Sequence, residues 1–436
     1  MDIKSLFAIY QQHPLLTTDS RECPPGSIFI ALKGASFDGN RFARQALDKG
    51  CAYAVVDNPQ CAEAGDSRYI VVPDALVAYK ELAREHRRQF SIPVVGITGT
   101  NGKTTTKELV SAVLSRKYSV LHTEGNYNND VGVPRTLLSI RPEHEIAVVE
   151  MGASHPGDIE KLVEYAEPTC GMITNVGRAH LQGFGSFDGV KRTKGELYDY
   201  LKAHGALLFL NESDPDLLEM AESREFGRVV TYGSDDTANV RGRLLSCDPF
   251  LSFVWQADEA LTPQPLEVHT QLIGSYNLSN MLAAIAIGLH FGVAPADVVA
   301  ALEQYVPSNN RSQLTVTAHN RLIIDAYNAN PSSMAAAIEN FRLTEATDKL
   351  AILGDMRELG EAAPAEHQKV VDKLKNDGFT DVWLVGPEFA RTDTAYRKFA
   401  DVSEVREAIA AARPEGRTIL VKGSNGIRLF ELASVL

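Results

Sequence analysis

Short apolar runs rich in valine and isoleucine recur along the chain and alternate with longer amphipathic segments. The clearest of them lie in the middle of the sequence: VVGIT, SVLHT, IAVVEMG, GMITNV, ALLFLN and VVTYG. Continuous apolar runs of this length are typical of strands buried on both faces, and helices between such strands allow parallel pairing. The pattern therefore predicts an α/β protein with an open, doubly wound, mostly parallel sheet.

The same alternation divides the chain into three predicted domains. Residues 1–90 carry short strands (SIFIAL, AYAVVD) and helices, which predict a small α/β domain. Residues 91–306 form the central domain, where alternation with prolines between 240 and 274 predicts added antiparallel strands. Residues 307–436 repeat the theme as a Rossmann-like domain with strands RLIIDAY, LAILGD, DVWLVG and TILVKG. The segment PSNNRSQ at the last join is predicted to be a hinge.

Bulk composition narrows the class of protein. At 436 residues the chain exceeds what one hydrophobic core usually serves. A net charge of −13 argues against broad nucleic-acid binding, which requires a basic face. No signal peptide is read in MDIKSLFAIYQQHP, the most apolar helix is too short to span a bilayer, and the five cysteines lack metal-ligand spacing. We expect a cytoplasmic protein without stable membrane insertion.

One glycine-rich segment, VVGITGTNGKTTT, has the form of a phosphate-binding loop. It follows an apolar strand and precedes a helix, so backbone N–H groups and the helix N-terminus face an anion. The position five residues before Gly102 is Ile97 rather than glycine, which indicates a particular subfamily of such loops. A tight turn without a ligand is the alternative. The predicted nucleotide-binding residues are Gly99, Thr100, Asn101, Gly102, Lys103, Thr104 and Thr105.

Two further residues follow buried strands, in positions where ligands collect, and a lysine comes shortly after the second of them. Glu150 ends the strand IAVVE, and a carboxylate there suits a magnesium ion beside phosphate. His180 follows the strand GMITNV, and Lys194 comes fourteen residues later. Each also has a plain structural interpretation: a capping acid, a hydrogen-bonded histidine and a surface lysine.

Nine motifs, in order, resemble the Mur ligase family, whose members add amino acids or dipeptides to the peptidoglycan stem. They are GTNGKTTTKEL, TEGNYNNDVGVPRTLL, VVEMGASHPGDI, TNVGRAHLQGFGS, KGELY, GSYNLSNMLAAIA, DAYNANPSSM, LGDMRELG and VKGSNGIRL. The match spans essentially the whole chain. It implies that ATP phosphorylates the C-terminal carboxylate of a nucleotide-linked substrate, and that an amine then attacks the acyl phosphate.

The resemblance also implies a pair of magnesium ions. One ion would lie between the ATP phosphates, Thr104 and Glu150. The second would be held near His180, with help from Lys194, which matches the position where the family commonly carries a carbamylated lysine. An unmodified lysine remains the alternative.

The nucleotide's remaining contacts are also implied by the resemblance. Lys103 and Arg311 would stabilise charge on the transferring phosphoryl group, Arg311 from the hinge and only when the third domain closes. Asn280 resembles the family's adenine-side asparagine, and Asp325 resembles the acid that approaches the nucleotide from the third domain. A helix cap and a strand-end turn residue are the alternatives for these two.

The first domain resembles the UDP-sugar-binding region of the family in the stretch TTDSRECPPGSIFIALKGASFDGNRF. Ser20 and Arg21 are the predicted substrate contacts there, and Asn40 stands where the family often has histidine. In the central domain, Asn126, Asn128 and Asn129 are predicted to donate to the muramoyl group or the peptide.

The motifs NANPSSM and LGDMRELG most resemble the family member that joins D-alanyl-D-alanine to UDP-N-acetylmuramoyl tripeptide. A sister ligase that adds one amino acid, or a folylpolyglutamate-like enzyme, is the nearest alternative, and a P-loop switch or an inactive relative is the more distant one. We expect small-molecule substrates, no nucleic acid and a monomer.

Overall fold

The computed structural model describes residues 1–34, 36–307 and 313–436. Its strands form three separate sheets of four, nine and six strands, which follow one another along the chain. All the strands predicted from the long apolar runs are present. The three-domain α/β fold class is thereby confirmed. Within the described ranges, no helix has both the length and the apolar character needed to cross a membrane.

The first sheet is fully parallel, with its four strands in chain order. Apolar residues fill both of its faces, and α3 closes one of them. The side chain of Asp74 accepts the Val77 N–H and so begins α3. The elements are α1 (Ile3–Gln12), β1 (Leu16–Thr17), β2 (Ile28–Ile30), α2 (Ala43–Asp48), β3 (Tyr53–Val56), β4 (Tyr69–Val71) and α3 (Ala75–Arg87).

The central sheet has the strand order β13-β12-β11-β10-β9-β8-β5-β7-β6. Strands β5 to β11 pair in parallel, and β11, β12 and β13 pair antiparallel as predicted. The strands are β5 (Val94–Thr98), β6 (Val120–His122), β7 (Ile146–Glu150), β8 (Cys170–Ile173), β9 (Leu207–Asn211), β10 (Val229–Gly233), β11 (Val240–Cys247), β12 (Phe250–Gln256) and β13 (Leu266–Ile273).

The helices of the central domain cover both faces of this sheet. They are α4 (Lys103–Leu114), α5 (Gly132–Leu138), α6 (Asp158–Ala166), α7 (Leu181–Phe184), α8 (Phe187–Ala203), α9 (Pro215–Glu222), α10 (Leu278–His290) and α11 (Pro295–Gln304). Strand β5 lies between β7 and β8, where the strand order reverses direction. Ligands of doubly wound sheets bind at the carboxyl ends of such strands, so the glycine-rich loop after β5 opens into that crevice.

The third sheet has the order β14-β15-β19-β16-β17-β18, parallel except for β14 at one edge. Its elements are β14 (Gln313–Val316), β15 (Arg321–Asp325), α12 (Pro331–Leu343), β16 (Lys349–Gly354), α13 (Ala363–Asn376), β17 (Val382–Val385), α14 (Pro387–Ala390), β18 (Arg397–Phe399), α15 (Val402–Ala411) and β19 (Thr418–Lys422). The edge strands β14 and β18 are additions to the predicted set, because short, partly exposed strands carry little apolar signal.

The first two domains share a hydrophobic core. Helices α1 and α3 contribute Leu6, Tyr79 and Leu82 to it, and α5 and α6 contribute Leu137 and Leu162. The third domain meets the central one through Ile273, which joins its core, and through several polar contacts around the crevice. The crevice after β5 is therefore bounded by all three domains.

Candidate active site

A cavity of about 790 Å³ opens at the carboxyl end of β5. Its wall combines Lys80 from α3, the glycine-rich loop, Glu150 at the end of β7, and Asp325 and Lys422 at strand ends of the third sheet. The carboxyl edges of two parallel sheets thus face the same space. An open cleft of this size suits a nucleotide or a similarly large ligand.

The glycine-rich loop is held rigidly by the end of β8. Gly99 has φ +145°, and a Cβ there would lie 2.0 Å from Thr174 Oγ1, so only glycine fits. The Thr174 hydroxyl donates to Asn101 O (2.6 Å), and Asn101 N donates to Asn175 Oδ1 (3.0 Å). Gly177 N donates to Thr100 Oγ1 (2.9 Å). Because the loop is fixed from behind, its conformation is ready before any ligand arrives.

Lys103 is the first residue of α4 and points its ammonium group back onto the loop. Its Nζ donates to Gly99 O (2.8 Å) and Thr100 O (3.0 Å). Gly102 precedes it with φ +79°, and Thr105 also lines the cavity. The helix N-terminus and the ammonium group together give this part of the wall positive charge, which suits phosphate oxygens.

Glu150 is a buried carboxylate with unused hydrogen-bonding capacity. Its Oε1 accepts hydrogen bonds from Thr104 Oγ1 (3.2 Å) and Asn128 Nδ2 (2.7 Å). Its Oε2 is buried and has no hydrogen-bond partner among the described residues. A buried carboxylate oxygen without a partner is costly, and a hard cation would satisfy it.

The described chain contains no cluster of three or more His, Cys, Asp or Glu side chains placed to hold a metal ion. Glu150 and Thr104 alone cannot complete the six oxygen ligands of magnesium. The residues therefore fit an ion that takes most of its ligands from phosphate oxygens and water.

His180 and Glu358 join the central and third domains. His180 Nδ1 and Glu358 Oε2 are in direct contact across the boundary, and the neighbouring His180 side chain holds the pKa of Glu358 below its ordinary value. Both residues have left-handed backbone conformations, with φ of 50° and 64°. Left-handed conformations of residues other than glycine are strained and concentrate at functional positions. This contact bridges the two sides of the cavity, because both residues line it.

Lys194 lies on α8 and is buried, with 2% of its surface exposed. Burial lowers its pKa well below the ordinary value, and the positive charge of Lys103 acts in the same direction. Its Nζ is 5.8 Å from the centroid of the Phe184 ring, whose edge-to-face partner is His180, with centroids 6.1 Å apart. Lys194 and His180 are thus neighbours of one aromatic ring.

The predicted adenine-side and third-domain residues also reach the cavity. Asn280 is buried on α10, where its Oδ1 accepts from Thr106 Oγ1 (3.0 Å). Asp325 forms an ion pair with Lys422 (2.6 Å), and both line the wall. Arg311 lies outside the described residues, so its predicted role stays a prediction.

The predicted substrate-binding residues fall into two groups. Asn126, Asn128 and Asn129 line the cavity, and Asn129 Oδ1 also accepts the Gly132 N–H (2.8 Å) at the start of α5. Ser20 and Arg21 do not line it. The Arg21 side chain is 86% exposed, and its guanidinium is paired with Asp19. These two residues belong to a separate surface of the first domain.

Several residues in or beside the cavity were missing from the sequence prediction. Asn330 lies behind the glycine-rich loop, where its Nδ2 donates to Asn101 Oδ1 (2.7 Å), so the third domain touches that loop directly. Asn175, Glu358 and Lys422 were also missed. Asn175 and Lys422 lie at or just after strand ends, which is the same sequence signal that marks Glu150. Glu358 is defined by a contact between domains, which local sequence patterns do not reveal.

Comparison with known proteins gives three family-model matches in chain order. Residues 14–87 match the Mur ligase family, catalytic domain; residues 97–288 match the Mur ligase middle domain; and residues 310–425 match the Mur ligase, glutamate ligase domain. The matches cover most of the chain.

Curated relatives are similar over almost their whole length. UDP-N-acetylmuramoyl-tripeptide–D-alanyl-D-alanine ligases from Escherichia coli and Bacillus subtilis are 35% and 34% identical. Each comparison covers 97% of this chain, with 93% and 92% of the respective relative. The corresponding ligase from Synechocystis sp. is 34% identical over 97% of this chain and 91% of its own.

Solved structures show the same architecture. A MurF crystal structure from Acinetobacter baumannii has a TM-score of 0.86 at 31% identity, covering 96% of this chain and 92% of that one. MurF from Thermotoga maritima in complex with ADP also has a TM-score of 0.86, at 26% identity, covering 97% and 96%.

Proposed function

Because the chain belongs to the Mur ligase family, we propose that it uses ATP to join D-alanyl-D-alanine to UDP-N-acetylmuramoyl tripeptide. The relatives named for this reaction are similar to the chain over nearly its full length, which supports the proposal. The observation that carries the proposal is the buried, half-satisfied Glu150 beside Thr104 at the mouth of the glycine-rich loop. The protein would encounter ATP and the UDP-linked precursor in the cytoplasm.

The reaction must first give the substrate's carboxylate a good leaving group. A free carboxylate cannot expel oxide, so the tripeptide's terminal carboxylate attacks the γ-phosphorus of ATP, giving an acyl phosphate and ADP. The amine of the dipeptide then attacks the acyl carbon and loses a proton, and inorganic phosphate leaves. Lys103 would leave the loop carbonyls it now contacts and turn to the phosphates, where its charge stabilises the transferring phosphoryl group. Arg311 would add a second positive charge from the hinge.

Thr104 and Glu150 would hold one magnesium ion, and His180 with Lys194 would hold the second. Magnesium supplies divalent positive charge that draws together the carboxylate and phosphate groups, which otherwise repel one another. Asn128 orients Glu150 through its hydrogen bond to Oε1. Asn280 lies behind Gly102 and would contact the adenine, and Asp325 lines the cavity and would approach the nucleotide from the third domain.

Lys194 would act as a carbamate. Carbon dioxide adds only to a neutral amine, forming a negatively charged carbamate and releasing one proton. Burial and the nearby Lys103 both favour the neutral amine of Lys194. The resulting anion would give the neutral, buried Lys194 side chain a negatively charged end group suited to magnesium.

The two remaining substrates would approach from different sides. Ser20 and Arg21 on the first domain are proposed to bind the UDP moiety, which leaves the muramoyl peptide to extend past Asn126 and Asn129 toward the cavity. The dipeptide would enter from the third domain. Closure of that domain over the loop, as in the Asn330 contact, would exclude water from the acyl phosphate.

The choice of amine tests the proposal. We expect the purified protein with UDP-muramoyl tripeptide, ATP and magnesium to release phosphate and form amide with D-alanyl-D-alanine, and to give at most background with single amino acids. Product formation is followed by mass spectrometry. Turnover with free amino acids but not with the dipeptide would instead assign the chain to the sister ligases that add one residue.

A further inference from the structure

Two loops meet at the carboxyl edge of the third sheet, one after β16 and one after β19. The first carries Arg357 and Glu358, and only Glu358 reaches the cavity wall. The loop is fixed from several directions: Arg357 N donates to Ser424 Oγ (3.0 Å), and Met356 N donates to His367 Nε2 (3.0 Å). Arg357 therefore has a defined backbone position next to the cavity.

The Arg357 guanidinium lies against the backbone of Gly426. Its Nη2 donates to Gly426 O (3.2 Å), and a Cβ at position 426 would lie 2.4 Å from Arg357 Cζ. Glycine at 426 thus makes room for the guanidinium. An arginine side chain has five N–H donors, and this single bond leaves most of them available.

Arg357 is also an exposed cation that no carboxylate neutralises within the described part of the chain. Arg391 and Arg342 in the same domain pair with Glu388 and Glu339. A planar guanidinium with free donors binds a carboxylate through two parallel hydrogen bonds.

We propose that Arg357 binds the terminal carboxylate of the incoming dipeptide and thereby selects a dipeptide over a single amino acid. This inference rests on the proposed function. A dipeptide is a zwitterion whose charged ends lie about 7 Å apart when extended. Glu358, whose side chain remains 60% exposed while paired with His180, offers negative charge to the ammonium end at the cavity. Arg357 offers positive charge to the other end, outside it.

The test compares D-alanyl-D-alanine with D-alanyl-D-alaninamide, which has the same shape without the terminal charge. We expect the protein to prefer the free dipeptide by about 10- to 100-fold in kcat/KM, the range for a charge-assisted hydrogen-bonded pair. Arg357→Ala should raise KM for the dipeptide by a similar factor, leave the amide unaffected and change kcat little. Arg357→Lys should keep part of the preference, and Arg391→Ala should behave like the original protein.

Two results would overturn the inference. Equal losses for the dipeptide and its amide in Arg357→Ala would show that Arg357 only supports the loop. An original protein that uses both acceptors equally well would show that the terminal charge is not recognised. Failure of the proposed function looks different, because the original protein would then form no amide with either acceptor.

Discussion

Replacing Lys194 with alanine is expected to lower kcat by about 10- to 100-fold, the effect of losing a group that supports a catalytic metal. Added short carboxylates such as acetate or propionate should restore part of the activity, because they can enter the space left by the side chain and supply the missing anion. Steady-state kinetics with saturating ATP and both other substrates measures the loss and the rescue.

The environment of Lys194 gives the physical reason. The side chain is buried, and its pKa is lowered by that burial and by Lys103, so a permanent cation at this position would be unfavourable. Lys191→Ala is the matched control: it removes a lysine of the same helix that is already paired with Asp216 and Glu219. Full activity of Lys194→Ala, or a loss that no carboxylate rescues, would contradict the carbamate.

Glu150→Gln is expected to lower kcat by about 10²- to 10³-fold and to raise the magnesium concentration needed for half-maximal activity. The change keeps the side chain's shape but removes its charge and replaces one oxygen with a donor. In the original protein, Oε2 has no hydrogen-bond partner in the described chain and can bind a cation. The neutral amide of glutamine binds a cation more weakly. Magnesium titrations of the initial rate measure both effects.

Glu145→Gln serves as the control for Glu150→Gln. Glu145 immediately precedes the same strand, β7, and its carboxylate accepts the Ser119 N–H (2.9 Å) at a distance from the cavity. The substitution Glu145→Gln should change neither kcat nor the magnesium requirement. If Glu150→Gln kept the original magnesium dependence, Glu150 would be a structural acid that only orients Thr104 and Asn128.

The regular part of the fold could be predicted from the sequence because burial leaves a repeating signal. The strands ending at Glu150 and Asp325 are continuous apolar runs, and each places its final side chain at the sheet edge. The short strands β14 and β18 carry too few buried residues to give such a signal.

The residues of the candidate site also differ in whether the sequence could predict them. The glycine-rich loop is local, so its residues could be identified from their order alone. The contacts of Glu358 with His180 and of Asn330 with Asn101 join residues far apart in the chain, and they depend on how one domain docks on another. Local periodicity contains no information on that docking.

The most direct test of the central claim follows oxygen from the acid to the phosphate. UDP-muramoyl tripeptide is prepared with ¹⁸O in both oxygens of the terminal carboxylate and turned over with unlabelled ATP and D-alanyl-D-alanine. Activation as an acyl phosphate predicts one ¹⁸O atom in each inorganic phosphate released, detected by mass spectrometry, with the other retained in the new amide. Amide formation with no label in the phosphate would contradict the account.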